Sequence, residues 1–509
     1  MRGTSGDRQS KASISTRSTR RFYSPLWLPY HRFQAPLPPN NARGDLIVRR
    51  NQDVSSRRST YLIQDPYDKD AVEFIRTIAL HYGLRQVCFY TDPRGRFDGE
   101  RMFPELRSPL IEATYDVDLE DRNGLESFAR EVQDRYDIVG IVPFLEDKVE
   151  TAAELLELLD LQWNDPTTLR RFRNKHEMKA HVASTAPHVR VPFTRLVTTA
   201  DELSGGHLPE KFVVKPNDGL GNLHIGIFDR DSLEQAQRHI SDNPGFEWVV
   251  EEFIDGTEYV VNGHVRADGT VDVLAVQEYV RGEVDGYSTI YLAHFHIHTD
   301  EEPFQELASY ATELVTALGL RGCPFHLEAI IDDKGPAVVD LAARLPSEAA
   351  GWWMTRLHPY RPSTYLVAAH DYLGRDELDL DVRWDRYNST RMMYVYGFSE
   401  VDTHISSLHG IDELEALPEF VQWRIEPHIG QKLSVTRELL SAPYCVDVEG
   451  DWTREEAIEF SNKVRSIVRW NEGESATKRG EAKLRDAVPR AFKKGRWAIE
   501  QARRAAQRE

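Results

Sequence analysis

Two acidic residues are predicted to face each other across a short hairpin, and this is the most informative feature of the sequence. Residues 325–331 and 336–342 are largely apolar, and the loop 333–335, Asp-Lys-Gly, separates them. A three-residue loop that ends in glycine predicts two antiparallel strands centred on its middle residue. Glu328 and Asp340 are each six residues from that centre, so we expect them to lie directly opposite each other.

Such a pair needs a positive charge beside it. Two carboxylates about 5 Å apart repel and destabilise a hairpin unless a cation lies between them. Mg²⁺, which prefers hard oxygen ligands, would supply that charge. Because side chains alternate along a strand, His326 (opposite Ala342) and Arg344 are expected on the same face as the two acids. A structural network in which Arg344 or a lysine neutralises the acids explains the hairpin equally well.

A lysine at the end of a strand precedes a loop that contains glycine. The apolar run 212–214 ends at Lys215, Pro216 interrupts the strand, and Gly219 and Gly221 follow. Glycines let backbone N–H groups approach an anion closely, and a neighbouring lysine adds a positive charge. The segment fits a phosphate site, and a β-turn followed by a surface lysine fits it as well.

Another apolar run leads into an acidic turn. Residues 248–250, Trp-Val-Val, precede Glu251 and Glu252, and Ile254 and Glu258 follow. Backbone donors and acceptors flanked by apolar residues can bind a planar base, and an acid a few residues later can accept ribose hydroxyl groups. A strand edge with solvated acids is the alternative interpretation.

Alternating helices and strands indicate a small open α/β domain before these motifs. Strands that alternate with helices form a parallel sheet with helices packed on it. Asn174, with Glu177 three residues later, predicts the N-terminus of a further helix. The predicted elements are a helix over 72–82 that ends at Gly83, strands at 86–90 and 137–144, helices at 125–136 and 149–159, later strands at 392–396 and 422–425, and a helix at 454–468.

The distribution of charge argues against some functions. The chain has 509 residues and a net charge of −19, yet residues 1–60 carry +9 and residues 478–509 carry +7. The strongly acidic body between them argues against a nucleic-acid groove. No apolar run approaches the roughly 18 residues of a membrane helix. Three cysteines, Cys88, Cys323 and Cys445, fit neither a disulfide framework nor a zinc motif, so we expect a reducing, cytoplasmic compartment.

The motifs, taken in order, resemble the ATP-grasp superfamily, and in particular its carboxylate–amine ligase branch, which includes L-amino-acid (dipeptide) ligases. The resemblance covers residues 65–470 and implies an α/β and α+β multidomain protein with the ATP-grasp fold. We predict a poorly ordered basic arm (1–60; a transit peptide is the alternative), a pre-ATP-grasp α/β domain (61–165), an ATP-grasp domain (166–385) with a small lobe (about 185–255) and a large lobe (about 256–385), a C-terminal α+β unit (386–472) and a basic helical tail (473–509).

The resemblance also implies roles for individual residues. The family often has an asparagine, commonly a third metal ligand, where this chain has Ala342, and its glycine loop also differs from this one. By resemblance, Lys175 and Lys215 would hold the ATP phosphates, the loop with Gly219 and Gly221 would cover them, Glu251, Glu252 and Ile254 would form the adenine hinge, Glu258 would bind the ribose, Glu328 and Asp340 would bridge metal ions, and Arg344 would hold the reacting carboxylate and its phosphate.

The implied activity is ATP-dependent ligation of a carboxylate to an amine through an acyl phosphate, with release of ADP and phosphate. ATP and Mg²⁺ (or Mn²⁺) are the implied cofactors. We expect a small-molecule carboxylate and amine as partners, no nucleic acid and no membrane, and we leave a homodimer open. The alternative is an ATP-binding regulatory or scaffold protein that does not turn over. His294, His296 and His298 alternate along one strand, which fits a metal site or a substrate-facing strand.

Overall fold

A computed structural model provides the structure of this protein. It describes residues 58–66, 69–91, 96, 100, 104–119, 123–161, 164–219, 224–284, 287–345, 356–357, 384–437 and 441–471. The predictions for the arm before residue 58, for Gly221 and for the tail after residue 471 lie outside these residues. Within the described ranges, no helix is both long enough and apolar enough to cross a membrane.

A four-stranded parallel sheet forms the first part of the described chain. Its strand order is β3-β2-β1-β4, so successive strands are added on one side of β1 up to β3, and β4 is added on the other side. β1 and β3 were not predicted from the sequence, because the fully buried segment of β1 is short and β3 is only half-buried. The elements are β1 (Arg58–Gln64), α1 (Lys69–Tyr82), β2 (Gln86–Tyr90), β3 (Ile111–Asp116), α2 (Gly124–Arg135), β4 (Tyr136–Pro143) and α3 (Val149–Leu158).

Two short helices and a second sheet follow. The sheet is antiparallel with the order β5-β8-β6-β7 and has its own core, which includes Phe212 and Trp248. The Asn174 side chain accepts a hydrogen bond from the Glu177 N–H, which confirms the predicted helix start. The elements are α4 (Pro166–Arg173), α5 (Lys175–Thr185), β5 (Thr194–Val197), β6 (Lys211–Pro216), β7 (Gly226–Asp229), α6 (Leu233–Asp242) and β8 (Trp248–Glu252).

An eight-stranded antiparallel sheet supports the rest of the described chain. Its order is β13-β12-β9-β10-β11-β14-β19-β17, so strands from the predicted C-terminal unit extend the sheet that carries the acidic hairpin. The main elements are β9 (Thr257–Val265), β10 (Val271–Val284), β11 (Tyr287–His296), α7 (Glu302–Leu318), β12 (Cys323–Asp332), β13 (Gly335–Ala342), α8 (Asp385–Ser389) and β14 (Arg391–Tyr396). After them come β15 (Thr403–His404), β16 (Leu408–His409), α9 (Ile411–Glu415), β17 (Phe420–Ile425), β18 (Lys432–Leu433), β19 (Cys445–Gly450), α10 (Arg454–Ile467) and β20 (Arg469–Trp470).

The acidic hairpin has the predicted register at the end that carries Glu328 and Asp340 and a different register at its turn. Glu328 pairs with Asp340, as the sequence predicted. The turn has two residues instead of three, because Asp332 pairs with Gly335, whose φ of 92° suits glycine. A β-bulge at Val339 absorbs the one-residue difference. The bulge therefore restores the register in which Glu328 and Asp340 face each other.

Candidate active site

Two buried lysines share one carboxylate beneath the hairpin. Lys215, at the end of β6, lies 2.9 Å from the Glu251 carboxylate, and Lys179, on α5, contacts the other oxygen of the same group. Both ammonium groups also donate to the backbone carbonyl of Val339, at 2.9 and 3.2 Å. The bulge thus turns a backbone acceptor toward the lysines.

These charges set one another's protonation. Burial opposes the charge on Lys215, but Glu251 and Asp340 outweigh burial and raise its pKa. Burial likewise opposes the charge on Glu251, but the two lysines lower its pKa. For Lys179, burial dominates and lowers the pKa to about 7 despite the contact with Glu251. Lys179 was not predicted from the sequence, although it lies four residues after Lys175 and therefore on the same helix face.

We expect the stability contribution of Lys179 to depend on pH. Its pKa is about 7 in the folded protein and ordinarily 10.5, so between these values the unfolded chain binds more protons. Wild type should therefore gain unfolding free energy relative to Lys179→Met as pH rises from 7 to 10, by on the order of a few kcal/mol. Denaturant unfolding of both proteins across that range measures the difference. A difference that stays constant with pH would show that Lys179 is already charged throughout.

Lys175 joins the glycine loop to the acidic hairpin. Its ammonium group lies 3.0 Å from the Asp340 carboxylate and donates to the Gly219 carbonyl at 2.7 Å. Its backbone N–H donates to the Asn217 carbonyl at 3.1 Å. The predicted phosphate lysines, Lys175 and Lys215, therefore both contact β13, Lys175 at the Asp340 carboxylate and Lys215 at the Val339 carbonyl.

The facing acids differ in protonation. Burial and the nearby carboxylates of Glu258 and Asp340 raise the pKa of Glu328 to about 8. Burial also disfavours the charge on Asp340, but Lys175 and Lys215 lower its pKa to about 2. Paired carboxylates under such repulsion fit a divalent cation with oxygen ligands. No cluster of three potential His, Cys, Asp or Glu ligands is assembled within the described ranges.

In the predicted adenine hinge, some groups are hydrogen-bonded, and at least one backbone N–H has no partner among the described residues. The Glu252 N–H donates to the Phe193 carbonyl at 3.2 Å, and the Glu252 carboxylate accepts from the Phe193 N–H at 3.1 Å. Ile254 is buried, and its backbone N–H makes no hydrogen bond to any described residue. A donor of this kind is what a planar base requires at a hinge.

The predicted ribose acid is held by an arginine. Arg281, on β10, binds the Glu258 carboxylate through two nitrogens, at 2.6 and 3.0 Å. Its guanidinium group lies 3.7 Å from the centre of the Tyr291 ring. Arg281 was not predicted from the sequence, because only the pairing of β9 with β10 brings it to Glu258. The Glu258 carboxylate is thereby oriented, with its charge balanced.

Arg344 is anchored by a residue that follows the last strand of the parallel sheet. Its Nη2 lies 3.1 Å from one oxygen of Glu146, just after β4, and Arg173 lies 2.8 Å from the other oxygen. Nη1 of Arg344 donates to the Leu345 carbonyl at 3.1 Å. Its Nε is buried and has no hydrogen-bond partner among the residues that the structure describes. Arg344 therefore retains a donor for an anion, and Glu146 is a residue that sequence analysis missed.

The alternating histidines mainly serve packing. Nε2 of His296 is 2.9 Å from the Tyr387 carbonyl, and its Nδ1 accepts from the Met392 N–H at 3.2 Å. Nε2 of His298 is 3.0 Å from the Thr390 carbonyl. The ring of His294 packs 4.1 Å from that of Tyr394. These contacts join β11 to the segment around α8 and β14.

Known proteins resemble this chain over different parts of its length. Residues 208–356 match the ATP-grasp domain family. Dapdiamide A synthase of Enterobacter agglomerans is 26% identical over 227 residues, 42% of this chain and 52% of that protein. D-alanine–D-alanine ligase of Azorhizobium caulinodans is 29% identical over 179 residues, 34% of this chain and 57% of that protein.

A solved structure covers more of the chain. The crystal structure of an L-amino acid ligase from Bacillus licheniformis has a TM-score of 0.65 at 18% identity, and the match covers 81% of this chain and 98% of that one. At this identity the likeness concerns the fold. The chain spans little more than half the length of the two curated relatives above.

Proposed function

Because this chain contains an ATP-grasp domain within an ATP-grasp fold, we propose that it is an ATP-dependent ligase that joins a carboxylate to an amine. The two curated relatives and the solved structure described above are named as ligases or as a synthase. The proposed product is an amide, formed through an acyl phosphate with release of ADP and phosphate. ATP, a small carboxylate and a small amine are the proposed substrates.

The observation that carries this proposal is the arrangement of charge around β13. Lys175 pairs with Asp340, and Lys215 pairs with Glu251 and donates to the Val339 carbonyl of β13. Glu328 faces Asp340, and Arg344 lies two residues beyond the end of the strand that carries Asp340. Cations, a pair of acids that could hold a metal and an arginine whose Nε has no partner among the described residues suit a phosphoryl group in transfer to a carboxylate.

The proposed reaction has two displacement steps. A carboxylate oxygen of the substrate attacks the γ-phosphorus of ATP, the bond to the β–γ bridging oxygen breaks, and ADP leaves. The amine nitrogen then attacks the acyl carbon, the C–O bond to phosphate breaks, and the amine proton passes to solvent or phosphate. Lys175 and Lys215 would neutralise the transferred group, while Arg344 would orient the carboxylate. A divalent ion held by Glu328 and Asp340 would add charge neutralisation at the phosphates.

A screen of substrate pairs tests the proposal. ADP and phosphate release would be measured with amino acids and other small carboxylates, alone and with amines, and the products identified by mass spectrometry. Release that requires both a carboxylate and an amine, with a product of the matching mass, is expected. The non-catalytic alternative predicts that the protein binds nucleotide, and that addition of a carboxylate or an amine does not increase the release of ADP and phosphate.

We expect Arg344→Lys to retain nucleotide binding and lose most amide formation. Lysine keeps the charge, but it loses the planar fork that can hold a carboxylate and then an acyl phosphate. The KM for the carboxylate should rise more than the KM for the amine, and kcat should fall, as steady-state kinetics with each substrate varied would show.

Arg190→Lys is the matched control for that variant. Arg190 forms a comparable fork with Asp332 at the turn end of the same hairpin, at 2.6 and 3.0 Å. Its replacement should change stability and leave the kinetics near wild type. Normal turnover in Arg344→Lys, or a loss confined to nucleotide affinity, would remove Arg344 from the carboxylate site.

A further inference from the structure

One buried glutamate lies between two arginines that belong to different parts of the candidate site. Through one carboxylate oxygen, Glu146 accepts from Nη1 of Arg173 at 2.8 Å, and through the other it accepts from Nη2 of Arg344 at 3.1 Å. The side chains of Arg173, Glu146 and Arg344 are 6%, 10% and 10% exposed. Water therefore competes little for these contacts, which are stronger for that reason.

On one side, this bridge leads to the loop that would cover the phosphates. Nη2 of Arg173 donates to the backbone carbonyl of Asp218, near the start of that loop. Two residues after Arg173, the Lys175 ammonium group donates to the Gly219 carbonyl at 2.7 Å. The end of α4 and the start of α5 therefore hold the first part of the loop, and Glu146 is bound to the same arginine.

On the other side, the bridge fixes the guanidinium group of Arg344. Its Nη2 is held by Glu146, and its Nη1 donates to the Leu345 carbonyl at 3.1 Å. Because the group is planar and two of its nitrogens are bonded to different acceptors, its orientation is determined. The Leu345 side chain packs in a buried cluster that includes Ile63 and Val142 of the parallel sheet. Nε of Arg344, which has no partner among the described residues, is then held in a defined direction.

We propose that Glu146 is a positioning residue, which aligns the carboxylate site at Arg344 with the phosphate loop at Arg173. The inference rests on the proposed function, because it concerns the carboxylate that Arg344 would orient. Transfer of a phosphoryl group requires the attacking oxygen to lie about 3–3.5 Å from phosphorus, and a misplacement of about 1 Å can cost about 100-fold in rate. A single anchor shared by the two arginines would limit such misplacement.

The contacts of Glu146 distinguish this role from direct binding of a substrate. Each of its carboxylate oxygens already accepts from a guanidinium group. In Glu146→Gln, the amide oxygen could still accept from one arginine, but the amide NH₂ group would face a donor of the other. The two buried cations would also lose the negative charge between them. The substitution should therefore disturb Arg344 without removing a group that is proposed to contact substrate.

A double-mutant cycle between Glu146 and Arg344 tests the proposal. Steady-state ADP release would be measured for wild type, Glu146→Gln, Arg344→Lys and the double variant, with the carboxylate and amine found by the substrate screen. Glu146→Gln should lower kcat/KM for the carboxylate about tenfold or more in wild type, but less than about threefold in Arg344→Lys. Equal losses in both backgrounds would show that Glu146 acts independently of Arg344 and would overturn the inference.

The kinetics of the amine separate positioning from direct binding. In Glu146→Gln, the KM for the amine and the KM for ATP should change less than the KM for the carboxylate. A rise confined to the KM for the amine would make Glu146 a ligand of that substrate and would contradict a positioning role.

Glu146→Asp is the second variant and applies if glutamine prevents folding. It keeps the negative charge, but its carboxylate ends one methylene group short and cannot reach both arginines as well. A smaller loss of kcat/KM with the same dependence on Arg344 is expected. A loss that is equal in the Arg344→Lys background would again exclude the positioning role.

Glu449→Gln is the matched control. Glu449, on β19, accepts from Arg356 at 2.7 Å through one oxygen and from Arg386 through the other. Four strands lie between β12 and β19 in the sheet. Both glutamine variants should lower the thermal unfolding temperature, but Glu449→Gln should leave the kinetics near wild type. A kinetic loss in Glu449→Gln as large as that in Glu146→Gln would assign both effects to the fold and refute the inference.

The wild-type measurement separates this inference from the proposed function. Wild-type protein that releases no ADP in response to any carboxylate refutes the proposed function, and the positioning role with it. Carboxylate-dependent release by wild type, together with equal effects of Glu146→Gln in the two backgrounds, refutes the positioning role alone.

Discussion

Replacement of Glu328 by glutamine or of Asp340 by asparagine is expected to lower turnover by about 100-fold or more while the protein stays folded. Both acids lie on facing strands, and their main proposed role is to hold a divalent ion against mutual repulsion. Steady-state ADP release at saturating substrates measures the loss.

The two variants should differ in stability when no metal is present. Glu328→Gln removes a carboxylate whose raised pKa already reflects burial and neighbouring acids, so the variant should be as stable as wild type or more so. Asp340→Asn also breaks the ion pair with Lys175 and should be somewhat less stable. Asp333→Asn, in the exposed turn of the same hairpin, is the control and should change neither property. If both site variants unfold and added metal makes no difference, the pair is structural.

Lys215→Met is expected to reduce ATP-dependent turnover by about 100-fold or more. The ammonium group lies at the end of β6 beside the glycine loop, where it would neutralise a transferred phosphoryl group. Lys215 is only 4% exposed and bonds to Glu251 and Val339, so its replacement also removes buried contacts. A stability loss of about 1–3 kcal/mol should accompany the kinetic effect, because Glu251 keeps only its contact with Lys179.

Lys211→Met is the control variant, because it removes a lysine from the same strand at the end away from the glycine loop. Lys211 begins the same strand, is exposed, and lies over the Phe253 ring. The Lys211→Met variant should leave turnover unchanged. Nucleotide binding by isothermal titration and turnover would be measured for both variants at a temperature where both are folded. Wild-type turnover in Lys215→Met would exclude this lysine from the phosphate site.

Local patterns in the sequence were sufficient for several elements of the fold. The buried run 86–90 is a strand with those bounds, and the capping residue Asn174 begins a helix as predicted. The facing of Glu328 and Asp340 followed from a turn signal and strand alternation. In each case, the determining interactions lie within a few residues of the chain or across one short hairpin. Such signals can be recognised in the sequence alone because they do not depend on residues that are distant along the chain.

The contacts that complete the candidate site depend on the tertiary structure. Glu146 reaches Arg344 across 198 positions of sequence, and Lys179 reaches Glu251 across 72. The bulge at Val339 was also unpredicted, because a bulge and a one-residue change in turn length compensate each other in the register. Burial then decides the protonation of Lys179, which no local pattern reports. Helix starts, strands and the face on which a strand side chain lies could thus be predicted from local sequence. Ion-pair partners and pKa values depend on which distant elements pack together.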